Sequence, residues 1–171
     1  MKILKNIFAL IMIVSLASCS SDDDNNQYLL NNSNLQGLYE ITSFVTKEVK
    51  TTIVDGFVVE KTTTSIGDTF EVDFTFTENG TYNVDGLFRD VFTVVVNGVL
   101  DEDESGSYII EINNEEGTYS TNDTSMTLVL DGEVYDITLF NENEIRFTFE
   151  EMWEENGSDF VYTEEIRLER Q

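Results

Sequence analysis

The chain has 171 residues, one cysteine, no histidine and no proline, and its 34 acidic side chains outweigh nine basic ones to give a formal charge of −25. Without histidine there is no Ser-His-Asp or Cys-His catalysis, no imidazole-ligated zinc, and no general base titrating near neutral pH. A single cysteine permits no intramolecular disulfide, and so strong a negative charge disfavours nucleic acid and anionic lipid as partners.

In chain order, the first segment is a leader. Lys2 and Lys5 precede an apolar run from Ile7 to Leu16, and the small residues Ala17 and Ser18 follow. That run is too short to cross a hydrocarbon core, which needs roughly 20 residues. Leu16-Ala17-Ser18-Cys19 resembles the lipobox of bacterial lipoprotein signals. The resemblance implies removal of residues 1–18, a diacylglycerol thioether on Cys19 and delivery to the outer membrane. The run Asp22 to Asp24 resembles the surface-export signal of Bacteroidota lipoproteins, and it is equally ordinary tether composition. Residues 19–34 read as the lipidated cysteine and a polar, disordered tether whose one apolar cluster is Tyr28-Leu29-Leu30. With residues 1–18 removed, the remaining 153 residues carry all 34 acidic side chains against seven basic ones, about −27 in all.

From residue 35 onward the hydropathy has period two. Phe70, Val72, Phe74 and Phe76 alternate with Glu71, Asp73 and Thr75; Ile145, Phe147 and Phe149 alternate with Arg146 and Thr148. Such alternation marks strands with one buried and one wet face, as in antiparallel sheets. Six of the ten glycines follow Asn or Asp, at 55–56, 79–80, 85–86, 97–98, 131–132 and 156–157, the signature of tight hairpins. The pattern predicts about ten strands, at 38–46, 51–65, 69–77, 80–85, 90–96, 106–113, 126–131, 133–140, 143–153 and 159–169. Hairpin follows hairpin without a crossover helix, so residues 35–171 are expected to form one all-β, antiparallel up-and-down meander of 8–10 strands. Closure as a barrel is preferred over a β-sandwich, because no long Greek-key return is visible.

Candidate chemistry is sparse. Phe70, Phe74, Phe76, Tyr108, Phe147, Phe149 and Trp153 would line the inside of such a barrel, as packing or as a ligand pocket. Glu40, Glu151 and Glu164 stand at or beside positions where apolar residues are expected. Asp101, Asp103 and Ser105, ahead of Gly106, match the first half of a calcium loop, but the closing bidentate Glu is missing. Glu150, Glu151, Glu154 and Glu155 supply carboxylates without a sign of a catalytic pair, so the reading is a non-enzyme without a cofactor.

Leu35-Gln36-Gly37-Leu38-Tyr39 looks like the first strand of lipocalin-like proteins, with Tyr39 where they carry tryptophan. Thr75 to Tyr82 and Ser105-Gly106-Ser107-Tyr108 resemble hairpin and strand starts of small lipocalin-like lipoproteins of Bacteroidota. The resemblance implies a lipocalin-like barrel that binds a small apolar or amphipathic molecule, with Gly37 structural and Arg167 packed over Tyr39. A protein partner at the cell surface is the other role such a domain would take. The alternative from a different class is a surface accessory β-sandwich that binds polysaccharide or calcium through its loops.

Overall fold

The computed structural model describes residues 28–171; the leader, Cys19 and residues 20–27 lie outside the described residues. Eight antiparallel strands follow one another around a closed ring: β1 (Gly37–Val54), β2 (Phe57–Phe76), β3 (Thr81–Val96), β4 (Val99–Asn122), β5 (Thr127–Leu130), β6 (Glu133–Phe140), β7 (Glu144–Glu155) and β8 (Ser158–Arg170). Each strand pairs with the next, and β8 returns to β1 through Tyr39↔Arg170 to Thr52↔Ser158. The expected up-and-down barrel is what the chain forms.

The strands are fewer and longer than predicted. Expected breaks near 47–50, 66–68 and 86–89 are absorbed as continuous strand, some of it bulged: the β2–β3 register shifts between Asp68 and Glu71, where Thr69 takes φ 54°. Bulges let strands this long coil around a barrel. Four of the six Asn/Asp-Gly pairs (55–56, 97–98, 131–132, 156–157) put both residues at positive φ, as two-residue hairpins require. Asn79-Gly80 also turns the chain, within a wider loop closed by Thr77 N–H to Thr81 O at 2.9 Å. Asp85-Gly86 does not. It lies inside β3, where a Cβ on Gly86 (φ 134°) would strike the Glu71 carbonyl oxygen and approach Val72 Cα to 2.8 Å. The predicted loop at 97–105 is likewise strand from Val99 onward, bulged opposite Phe92 and Val94.

The ring closes only near its base. β5 has four residues and pairs β4 over Tyr119–Asn122, while β6 reaches β7 no further than Asp136↔Thr148. The remaining strands run on past this collar as long hairpin arms.

Inside the collar sits the core, with Tyr39, Phe76, Leu128, Ile145, Phe147 and Leu168 fully buried. Acidic and polar side chains such as Glu71, Asp73, Asp136 and Glu165 occupy the outer wall. Apolar inside and polar outside is the reverse of a membrane-spanning barrel. Among the described residues no helix is long and apolar enough to cross a membrane.

The base is plugged by Leu35 together with preceding residues expected to belong to the tether. Leu30, just before a single helical turn, α1 (Asn32–Leu35), and Leu35, its last residue, are buried; the turn is capped by Asn31, whose side chain accepts from Asn34 N–H at 2.9 Å. Asp123 Oδ1 accepts the Leu30 N–H at 2.8 Å, and Tyr28 packs on Phe140. Apolar side chains at 28, 30 and 35 are buried more favourably against the barrel's open base than left in water. Residues 28–34, expected to be tether, are therefore part of the fold.

Candidate functional site

Above the packed base the barrel wall borders a partly open cavity of about 380 Å³. β1 contributes Ile41 and Phe44, β2 Phe74, and β3 Tyr82, Val84 and Phe88. Ile110, Ile112 and Glu115 come from β4, Leu130 from β5, Tyr135 from β6 and Ile166 from β8. Ile110 and Ile112 are partly exposed and Glu115 is exposed, so the space meets solvent on the β4 side, where that strand outruns β5. Phe44 and Phe70 pack on Phe88, and Phe74 stacks on Tyr82, which stiffens one wall. A volume in this range with apolar walls and few polar groups is what small-molecule sites share.

The polar groups beside it are acidic. Glu164 stands two residues before Ile166 on the inner face of β8 and accepts a 2.8 Å hydrogen bond from the Tyr162 hydroxyl. Burial pushes its carboxyl above the usual range, against the lowering effect of that bond. Tyr135 donates to Glu133 at 3.3 Å; burial raises its hydroxyl and that of Tyr162, with the charge of Glu164 adding to both and that of Glu133 to Tyr135. Asp90 follows Phe88 on the inner face of β3 and is 2% exposed. Ser65 Oγ donates to its Oδ2 at 3.1 Å, and Oδ1 has no partner among the described residues.

The seven aromatics singled out from the sequence divide among several places. Phe74 lines the cavity, and Phe76 and Phe147 are core packing at the base. Phe70 packs beside Phe88, and Phe149 lies between Tyr135 and Tyr162. Tyr108 is half exposed beside Phe92, outside the cavity lining. Trp153 stands far up the β7 arm, stacked on Phe160 at 4.9 Å. Of the three unusual glutamates, Glu164 and Glu151 have the inward parity of Phe149 and Tyr162, whereas Glu40 pairs with Asp73 on the outer wall.

The arginine over Tyr39 is Arg170, not Arg167. Its guanidinium lies 4.7 Å from the Tyr39 ring centre, hydrogen-bonds the Tyr39 hydroxyl, and donates to the carbonyls of Asn34 (2.5 Å), Gln36 (2.6 Å) and Glu142 (3.0 Å). Burial pushes the Tyr39 hydroxyl up to about 12 despite this cation. Arg167 points outward to Glu144 at 2.7 Å and Glu169 at 2.8 Å, and its hydrogen bonds hold the Glu144 carboxyl below the usual range. Gly37 is needed where it stands: its φ is 147°, and a Cβ there would crowd Arg170.

Asp101, Asp103 and Ser105 form no cation cradle. Ser105 Oγ donates to Asp101 O at 2.6 Å and accepts from Val94 N–H at 3.0 Å, so it fastens the β4 bulge. Among the described residues no group of three or more acidic or thiol side chains is placed to hold a metal ion.

Sequence reasoning passed over Phe44, Phe88, Asp90 and Arg170. Asp90 had a signal: it takes the inward place in the series Val84, Phe88, Phe92, Val94, where an apolar residue belongs.

Fold and site together define an acidic, up-and-down β-barrel, plugged at its base and holding an apolar cavity fringed by carboxylates. Comparison with protein-family profiles, curated proteins and solved structures gave no significant match.

Proposed function

We propose that this protein is a non-catalytic, outer-membrane lipoprotein with a lipocalin-like barrel that takes up a small apolar or amphipathic molecule. The observation that carries the reading is the cavity of about 380 Å³, walled by side chains from seven strands and open beside β4. The Arg170–Tyr39 pair at the base supports the lipocalin likeness, since it supplies the arginine-over-aromatic closure that the likeness implies. Acylation of Cys19 would leave eight residues before Tyr28, whose fully extended reach is about 30 Å. The plugged base would then face the membrane and the hairpin arms point away from it, whether in the periplasm or at the cell surface.

The test uses the full chain carrying Cys19→Ser and the uncharged fluorophore N-phenylnaphthylamine, which brightens in apolar surroundings. Saturable one-site binding that is lost in Val84→Trp, a variant that fills the cavity, is expected. No fluorescence gain with the folded protein would refute ligand binding.

A second reading, docking of a surface protein, is favoured by the apolar tips of the arms. Ile53, Val54, Phe57 and Val58 surround the β1–β2 turn with Phe57 75% exposed, and Val99 and Leu100 are exposed at the next. Glu60 and Glu102 beside them select a partner with an apolar patch and a basic rim. A photocrosslinker at position 57 in living cells should give a discrete adduct that one at Thr75 on the wall does not; equal or absent adducts would oppose it.

A further inference from the structure

Resting on the ligand-binding reading, we propose that the cavity's occupant is a cationic amphiphile of the alkylamine type, its chain in the apolar space and its ammonium at the upper end of that space, toward Asp90 and Glu164. The charges on the inner wall are one-sided where it matters. Every carboxyl-bearing or basic side chain that lines the cavity, or stands one step beyond its lining on the same strand face, is acidic: Glu115, Asp90 after Phe88, Glu133 before Tyr135, and Glu164 before Ile166. The inward lysines are remote. Lys50 pairs with Phe160, two inward positions up β8 from Glu164, and Lys61 is engaged by Glu104.

Asp90 supplies the independent observation. A carboxyl group 2% exposed, with one oxygen bonded by Ser65 and the other without a hydrogen bond among the described residues, is short of the donors that a buried charge requires. An ammonium brings three donors and a compensating charge, whereas a hydroxyl brings one donor and a carboxylate head would add repulsion. Tyr162 and Tyr135 donate to Glu164 and Glu133, while Tyr108, which faces Asp90 across the β3–β4 ladder, has a hydroxyl beside that carboxyl group but brings no compensating charge. Outside, the formal charge of −25 draws cations toward the mouth and disfavours anions.

The experiment displaces N-phenylnaphthylamine from the full Cys19→Ser chain at pH 7 with dodecylamine, dodecanol and dodecanoate, each below its micellar concentration. Dodecylamine is expected to displace at about tenfold lower concentration than dodecanol, the scale of one charge-assisted hydrogen bond, and dodecanoate to be weakest. Asp90→Asn should close most of the amine–alcohol gap while leaving dodecanol unchanged. Glu164→Gln, which keeps an acceptor for Tyr162, should close part of it and serves if Asp90→Asn does not fold. Equal potency of amine and alcohol, or preference for dodecanoate, overturns the proposal while leaving ligand binding intact. Failure of the probe itself to bind overturns both.

Discussion

Replacing Arg170 by alanine should be among the more damaging single changes in this barrel, although the residue is next to last. Its guanidinium ties α1, β1 and the β6–β7 turn together through the carbonyls of Asn34, Gln36 and Glu142, and covers the buried ring of Tyr39. The carbonyls of Gln36 and Glu142 are exposed and would rehydrate at little cost. The partly buried bonds to Asn34 and to the Tyr39 hydroxyl are worth roughly 1–1.5 kcal/mol each, and the cation over the ring about 1 kcal/mol, so the loss should be about 3 kcal/mol. With a urea m-value of about 2 kcal/mol/M, that lowers the unfolding midpoint by roughly 1.5 M. Arg170→Lys should recover only the ring contact, because an ammonium cannot span the fork of acceptors. Arg167→Ala should cost a small fraction as much, since its pairs with Glu144 and Glu169 lie on the outer wall. A loss in Arg167→Ala equal to that in Arg170→Ala, or full rescue by lysine, would refute the reasoning.

Gly86→Ala should cost about 3 kcal/mol or more in thermal unfolding, since its Cβ collides with β2 backbone, whereas Gly98→Ala, strained in φ but free of contacts, should cost about 1–2 kcal/mol. Leu30→Ala should destabilise by about 2–4 kcal/mol in urea if residues 28–34 are part of the fold; loss of nothing would return them to the expected tether. Glu164→Gln should raise the urea midpoint at pH 7. The raised carboxyl penalises the folded state above its folded pKa, and the penalty fades as pH falls below the ordinary carboxylate range, so the variant's advantage should shrink on acidification. A constant advantage from pH 7 to pH 4 would place the effect elsewhere. Cys19→Ala should abolish incorporation of labelled palmitate into the protein and release it from membranes; retained labelling would remove the proposed anchor.

The fold was legible because period-two hydropathy and Asn/Asp-Gly turns are local signals, and four of those pairs mark two-residue hairpins. What alternation cannot register is a bulge. The extra residues near Thr42 and Thr69 flip the parity, so Phe44 falls inward against the sequence phase and the strands look broken at 47–50 and 66–68. The same rule, applied strictly, would have found the right arginine. Tyr39 faces in, Ile166 and Leu168 face in, and only Arg170 shares their parity. The part of the plug at 28–34 was hidden by its composition: the cluster Tyr28-Leu29-Leu30 beside an Asn-rich stretch looks like tether until the open base of a barrel lies beneath it. The cavity was illegible for a different reason. It depends on β5 being short, a property of cross-strand register that one strand's sequence does not encode.

The most direct measurement is a methyl NMR titration of the Cys19→Ser chain with dodecanol, whose neutral head leaves the charge question aside. The account predicts saturable shifts at Ile41, Val84, Ile110, Ile112, Leu130 and Ile166, the cavity wall, with Leu35, Ile145 and Leu168 of the packed base unmoved. Shifts confined to Ile53, Val58, Val99 and Leu100 at the hairpin tips, or none at all, would contradict it.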